Sequence, residues 1–134
     1  MTQLGKYEIL EELGRGSFGI VYKARDIHLD RIVALKVLHP QLTVEPKFLE
    51  RFRREAQILA KINHSNVVTI YEIDEVEGKV HISMEYLSGG SLADKLNNGN
   101  LSLKEALIIT KEIGWGLDAG HKIGLIHRDI KPNN

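Results

Sequence analysis

Short runs of β-branched, aromatic and alternating apolar residues recur along the first two thirds of the chain. Their period of two places successive side chains on opposite faces of a β-strand. A polar turn from Asp74 to Gly78 separates the last two runs. The pattern therefore predicts a five-stranded antiparallel sheet, with strands over Tyr7–Leu13, Ile20–Arg25, Ile32–Leu38, Val67–Ile73 and Lys79–Met84.

A helix is predicted between Pro46 and Ile62, where the apolar residues follow a period of 3.6. Phe48, Phe52 and Leu59 lie on one stripe of this helix. Pro46 suits its first turn, since proline has no N–H to contribute there. One helix packed against the sheet makes this part of the chain an α+β structure.

Two more helices are predicted after a linker. Ser91 is a plausible N-cap of a short helix that reaches Leu96. Ser102 and Glu105 have the spacing of a capping box, which predicts the start of a long helix. The long helix ends before Gly124, and one of its faces is formed by Leu103, Leu107, Thr110, Ile113 and Leu117.

Composition excludes several classes of function. The 134 residues carry 18 basic and 18 acidic side chains, and this zero net charge argues against nucleic-acid and anionic-membrane binding. The chain has no cysteine, so it has no disulfide or thiolate site. Neither a signal peptide nor a membrane segment is predicted. We expect a cytoplasmic location. A full-length form with a membrane anchor beyond residue 134 is the alternative.

Three glycines, Gly14, Gly16 and Gly19, lie between the first two predicted strands. Because a strand follows them, they do not match the dinucleotide or Walker loops, which lead into a helix. Glycines in a hairpin let backbone N–H groups approach phosphate oxygens. A flexible hairpin turn without a ligand explains them equally well.

Lys36 shares a strand face with the apolar residues Ala34 and Leu38. A lysine there loses hydration unless it has an anionic partner, or else its ammonium snorkels to solvent. Glu55 fills a gap in the apolar stripe of the predicted helix between Phe52 and Leu59. We therefore expect Lys36 and Glu55 to pair, although Glu55 at the edge of the stripe could instead reach solvent.

The chain closes on His127-Arg128-Asp129-Ile130-Lys131-Pro132-Asn133-Asn134, which follows four earlier motifs. These are the glycine run, Val33-Ala34-Leu35-Lys36, the helical Glu55 and Met84-Glu85-Tyr86-Leu87. In this order the five motifs closely resemble those of the eukaryotic-like serine/threonine protein kinases. Lys131 favours the Ser/Thr over the Tyr kinases, and the surrounding residues are similar to bacterial members. The resemblance covers essentially the whole chain.

The resemblance implies a protein kinase domain over residues 1–134, with a small lobe at 5–86 and the start of a large lobe at 87–134. It implies that ATP and Mg²⁺ are the cofactors and that a protein Ser or Thr is the substrate. The nucleotide-binding residues are then Gly14, Gly16 and Gly19 over the phosphates, Val21 and Ala34 around the adenine, Lys36 on the α- and β-phosphates, Met84 as gatekeeper, and Glu85 and Leu87 at the adenine edge.

The same resemblance implies the catalytic roles. Asp129 accepts or orients the proton of the substrate hydroxyl, and Lys131 steadies the transferring phosphoryl group. Asn134 holds a magnesium ion, while Lys36 is kept in place by Glu55. His127 is expected to be a packed structural histidine.

The sequence contains no Asp-Phe-Gly, the motif whose aspartate holds the principal magnesium ion in this family. We therefore expect a truncated kinase domain that has no activity alone. Two alternatives stay open: a non-catalytic module that binds nucleotide or a kinase partner, and the product of a truncated gene. In each case the long helix would expose its apolar face.

Overall fold

A computed structural model describes all residues from 1 to 134 and divides them into two units. The first unit comprises Met1–Lys61 and Thr69–Tyr86. The second comprises Ile62–Val68 and Leu87–Asn134.

The first unit is built on a six-stranded antiparallel sheet with the order β1-β2-β3-β4-β6-β5. The five predicted strands are all present. The additional strand, β1, has only two residues, which is too short for an alternating pattern. The strands are β1 (Gln3–Leu4), β2 (Tyr7–Arg15), β3 (Gly19–Asp26), β4 (Arg31–Leu38), β5 (Ile70–Val76) and β6 (Lys79–Glu85).

The turn between β5 and β6 is shorter than the predicted Asp74–Gly78. Only Glu77 and Gly78 lie outside the strands, and both have positive φ angles, of 53° and 72°. Two central residues with positive φ are the requirement of a type I′ hairpin, whose twist matches that of its strands. The predicted start of β5 is also wrong, because Val67 and Val68 belong to the second unit.

The core of the first unit lies on one face of the sheet. Strand β4 lies in the interior of the sheet between β3 and β6 and is buried on both faces. Its residues Val33, Leu35 and Val37 point into this core. Burying one such aliphatic side chain contributes about 1.5–3 kcal/mol. The rest of the cluster comes from the neighbouring strands and consists of Leu4, Tyr7 and Ala24.

A polar contact closes the curled sheet. The hydroxyl of Tyr7 on β2 donates to the Glu72 carboxylate on β5 at 2.8 Å, although four strand pairings separate β2 from β5 in the sheet. Lys6 Nζ lies 2.7 Å from the same carboxylate. His81 packs edge-on against the Tyr7 ring, with 5.5 Å between the ring centres. These residues join β2 to β5 and β6.

Two helices follow β4, namely α1 (Pro40–Thr43) and α2 (Pro46–Leu59). The four residues of α1 are too few to show a period, and α2 ends before the predicted Ile62. Ala56 is the buried residue of α2, whereas Glu55 is exposed. The prediction that Glu55 lies on the buried stripe is therefore wrong. The stripe passes through Ala56, one residue further along the helix.

The second unit contains α3 (Leu92–Asn97) and α4 (Leu103–His121). Ser91 caps α3, and Ser102 and Glu105 form the predicted capping box at the start of α4. No residue of α4 is buried, and the Leu103 side chain is 77% exposed. None of the helices combines the length and the hydropathy required to cross a bilayer.

Candidate functional site

The glycines form the tip of the hairpin that joins β2 to β3. The Gly16 N–H donates to the Gly19 carbonyl at 2.9 Å. A Cβ atom on Gly19 would lie 2.1 Å from the Val37 carbonyl oxygen, which leaves no room for a side chain. A Cβ atom on Gly14 or Gly16 would meet nothing within 4 Å. Gly19 therefore permits two strands to approach, while the other two glycines keep the tip bare.

Four of the predicted nucleotide-binding residues share one face of the sheet. Val21 lies directly opposite Lys36, and Ala34 lies directly opposite Met84. Opposite residues of antiparallel strands point to the same face, as do residues two apart in one strand. The register therefore brings Val21, Ala34, Lys36 and Met84 together on the face opposite to the core cluster.

Lys36 is half-buried beside the hairpin tip. Its Nζ lies 5.9 Å from the centre of the Phe18 ring, within cation–π range. Phe18 stacks on Phe48 with 6.3 Å between the ring centres, and Phe48 stacks on Phe52 with 6.1 Å. Three rings thus connect the hairpin tip to α2.

Glu55 on α2 is the predicted partner of Lys36. Its side chain is exposed. Its exposure follows from the course of the buried stripe through Ala56. The contact between Lys36 and Glu55 therefore stays a prediction.

Glu85 ends β6, and its backbone N–H donates to the Thr69 carbonyl at 2.9 Å. Its carboxylate also accepts a hydrogen bond from the Thr69 N–H at 3.2 Å. Because the N–H of Glu85 is already hydrogen-bonded, its carbonyl is the backbone group left as a candidate to bind the adenine edge. Leu87 is exposed and lies in the second unit.

In the second unit, two predicted residues, Asn134 and Lys131, contact the Asp129 carboxylate. The Asn134 Nδ2 donates to the Asp129 Oδ2 at 3.0 Å and to the Asp129 carbonyl at 2.7 Å. The Lys131 Nζ lies 3.3 Å from the same Oδ2. The hydrogen bond from Asn134, followed by that from Lys131, lowers the pKa of Asp129. The carboxylate is therefore ionised at neutral pH, as a proton acceptor must be.

Asn134 is also the predicted magnesium ligand. Because its Nδ2 donates to Asp129, its Oδ1 is left to face a cation. No group of three or more His, Cys, Asp or Glu side chains is placed to hold a metal ion by itself. Mg²⁺ at phosphoryl-transfer sites takes one or two protein oxygens and completes its shell with phosphates and water. The Asn134 side chain fits such a ligand.

Sequence reasoning missed the position of two histidines. The His39 ring contacts the hairpin tip, with 2.9 Å between its Nε2 and the Gly16 carbonyl oxygen. The pairing of Gly19 with Leu38 places His39 beside the hairpin tip, and knowledge of the strand register would have indicated this contact.

His127 is exposed rather than packed in a core, and its Nδ1 accepts a hydrogen bond from the Asp129 N–H at 3.2 Å.

Comparison with known proteins gives a consistent result. The model of the protein kinase domain family matches residues 7–134. The serine/threonine-protein kinase PrkC of Bacillus subtilis is 42% identical over 97% of this chain, and PknE of Mycobacterium bovis is 39% identical over 99%. The chain spans only 20% and 24% of the lengths of these two relatives.

The fold is also similar to solved structures. The PknI kinase domain of Mycobacterium tuberculosis superimposes with a TM-score of 0.84 and 29% sequence identity. This alignment covers 98% of the chain and 54% of the PknI domain. The family match over residues 7–134 and the sequence identity to bacterial kinases agree with this fold. The chain belongs to the protein kinase family and corresponds to the N-terminal portion of a bacterial-type serine/threonine kinase domain.

Proposed function

We propose that this chain supplies the ATP-binding and hydroxyl-orienting parts of a kinase that transfers the γ-phosphoryl group of ATP to Ser or Thr of a protein. The observation that carries the proposal is the ionised Asp129 carboxylate, fixed by Asn134 and Lys131. It lies within residues that match the family.

Asp129 orients the substrate hydroxyl and accepts its proton as the oxygen attacks the γ-phosphorus. The bond from this phosphorus to the β–γ bridging oxygen breaks, and the electron pair leaves with ADP. Lys131 places a positive charge beside Asp129 and can stabilise the charge on the transferring group. Both side chains are exposed, so a protein substrate can reach them.

The first unit holds the nucleotide in this proposal. Val21 and Ala34 give the adenine an apolar surface, with Met84 behind it on the same face. The Lys36 ammonium binds the α- and β-phosphates, and the glycine hairpin covers them with backbone N–H groups. Glu55 approaches Lys36 when nucleotide is bound.

Magnesium would neutralise part of the phosphate charge, and the side-chain oxygen of Asn134 would be one of its ligands. The sequence has no Asp-Phe-Gly aspartate to hold a magnesium ion. A polypeptide limited to residues 1–134 is therefore expected to bind ATP without turnover. We also propose that residues 5–86 act as the small lobe and that the large lobe begins at residue 87.

Calorimetry with the 1–134 polypeptide tests the nucleotide site. We expect ATP to bind, and we expect Lys36→Met to weaken this binding at least tenfold because a direct charge contact is lost. Lys79→Met, in the β5–β6 hairpin, is the matched control and should bind as the unchanged chain does. Equal affinities for the Lys36 and Lys79 variants would contradict the site.

Activity tests the second part of the proposal. Robust magnesium-dependent phosphorylation by the same polypeptide, lost in both Lys36→Met and Asp129→Asn, would show that the chain is a catalyst by itself. No such activity is expected.

A non-catalytic interaction module is the second candidate, favoured by the apolar side chains that α4 exposes. Leu103, Leu107 and Trp115 are each more than half exposed. Absence of ATP binding at millimolar nucleotide would favour this candidate over the kinase fragment.

A further inference from the structure

His39 follows β4 directly and contacts the glycine hairpin twice. Its backbone N–H donates to the Phe18 carbonyl at 3.1 Å, which continues the pairing of β4 with β3. Its ring Nε2 lies 2.9 Å from the Gly16 carbonyl oxygen. A carbonyl oxygen only accepts hydrogen bonds, so Nε2 carries the hydrogen in this contact.

The contact from the His39 ring reaches the tip of the hairpin, where few other side chains pack. Gly16 has no side chain, and a Cβ atom at this position would meet nothing within 4 Å. Ser17 is exposed, and the Phe18 ring is 50% exposed. Within the hairpin, the Gly16 N–H is tied to Gly19, but this bond does not determine the direction of the Gly16 carbonyl. The His39 ring determines it.

This carbonyl fixes the direction of the next N–H group. The peptide bond between Gly16 and Ser17 is trans, as are all others in the chain. In a planar trans peptide the C=O and the N–H point in opposite directions. Because the Gly16 carbonyl points at His39, the Ser17 N–H points away from His39 and is presented on the other side of the tip.

We propose that His39 is a positioning residue for the phosphate groups of the nucleotide. By holding the Gly16 carbonyl, it keeps the Ser17 N–H oriented as a donor to a phosphate oxygen. The inference rests on the proposed binding of ATP by the first unit. It assigns the role to the ring alone, because the backbone bond from His39 to Phe18 is retained by any residue except proline.

The affinities of the 1–134 polypeptide for ATP and for adenosine test the proposal. In His39→Met, which has a similar length and no donor, we expect ATP affinity to fall about three- to tenfold, the effect of one hydrogen bond. Adenosine has no phosphate, so its affinity should not change. His39→Gln places an amide donor near the position of Nε2 and should restore most of the ATP affinity. His28→Met, on the exposed turn before β4, is the matched control.

A purely structural contact predicts a different result, in which ATP and adenosine affinities fall together or neither changes. Either outcome in His39→Met overturns the inference while leaving the proposed function intact. A chain with no affinity for ATP before any substitution overturns the proposed function, and the inference with it.

Amide hydrogen exchange supplies a test that needs no nucleotide. The Gly16 amide, which donates to the Gly19 carbonyl, should exchange faster in His39→Met and His39→Ala than in the unchanged chain, and His39→Gln should return it towards the original rate. Equal exchange rates in all four proteins would also overturn the inference. Two donor-free variants of different size keep the test valid if one of them fails to fold.

Discussion

At the scale of single residues, the three hairpin glycines differ in what they do. Gly19 is buried against the Val37 carbonyl, whereas Gly14 and Gly16 adjoin open space. The glycine pattern alone cannot show this difference, because it depends on the strand that packs beside the hairpin. The difference leads to opposite expectations for the same substitution.

Gly19→Ala is expected to destabilise the first unit by about 1–3 kcal/mol, because its methyl group would force β3 away from β4. Gly16→Ala should change the free energy of unfolding far less, since no atom lies within 4 Å of its Cβ position. Urea unfolding followed by circular dichroism measures both values. Similar losses in the two variants would mean that the close approach at Val37 is not a constraint.

Asn134 is expected to control the ionisation of Asp129. Its hydrogen bond is the main cause that lowers the pKa of Asp129, so Asn134→Ala should raise this pKa towards the ordinary value of 3.8. A carboxyl-carbon NMR titration of Asp129 measures the shift, and the neighbouring Asn133→Ala is the control. An unchanged titration in Asn134→Ala would exclude the contact.

At the scale of elements, the three-ring stack links the hairpin tip to α2. The rings of Phe18, Phe48 and Phe52 are nearly parallel, with interplanar angles of 10° and 15°. Aromatic pairs contribute about 0.5–1.5 kcal/mol beyond the burial of their area. Because Phe48 is the middle ring, both pairs depend on it.

Phe48→Ala is therefore expected to lower the free energy of unfolding by about 2–4 kcal/mol, from two lost ring pairs and the reduced burial. It should also speed amide exchange at the hairpin tip, because Phe18 loses its partner. Val44→Ala, at a 79% exposed position just before α2, is the control. If amide exchange at the hairpin tip stays unchanged while the free energy of unfolding falls, α2 and the hairpin are not coupled through the rings.

The elements also show what the sequence can predict. The period of two located β2, β3 and β4, and the Ser102–Glu105 spacing located the start of α4. The position of Glu55 was misjudged because the seven-residue step from Phe52 to Leu59 lets the stripe pass through Glu55 or through Ala56, which are only 100° apart on a helix. The contact of His39 with Gly16 spans 23 residues and depends on strand register, which local periodicity does not contain.

At the scale of the whole chain, pH acts through the polar contact that closes the sheet. His81 is 1% exposed, and burial lowers its pKa below the usual 6.5. The groups around it are the Tyr7 ring, the Lys79 carbonyl, and the charges of Lys6, Glu72 and Asp74. The folded protein thus keeps His81 neutral, while the unfolded chain takes up a proton near pH 6.5.

The free energy of unfolding is therefore expected to fall as the pH drops below 6.5, by up to about 1.4 kcal/mol per pH unit, the limit for one proton. His81→Leu should flatten this decline between pH 7 and pH 5, and the exposed His28→Leu should not. A further loss is expected below pH 4.5, because hydrogen bonds from Lys6 and Tyr7 lower the pKa of Glu72. Urea unfolding at several pH values measures the slopes, and equal slopes for the two histidine variants would exclude His81 as the cause.

The contact between Tyr7 and Glu72 also bears on the order of folding. It joins residues that are 65 positions apart, whereas the β5–β6 hairpin closes over a two-residue turn. Closing a long loop costs more chain entropy than closing a short one, so local hairpins form sooner. We expect this hairpin to be structured in the transition state for folding, and the closure of the sheet by Tyr7 and Glu72 to follow it. Losing that contact should therefore speed unfolding and leave the folding rate nearly unchanged.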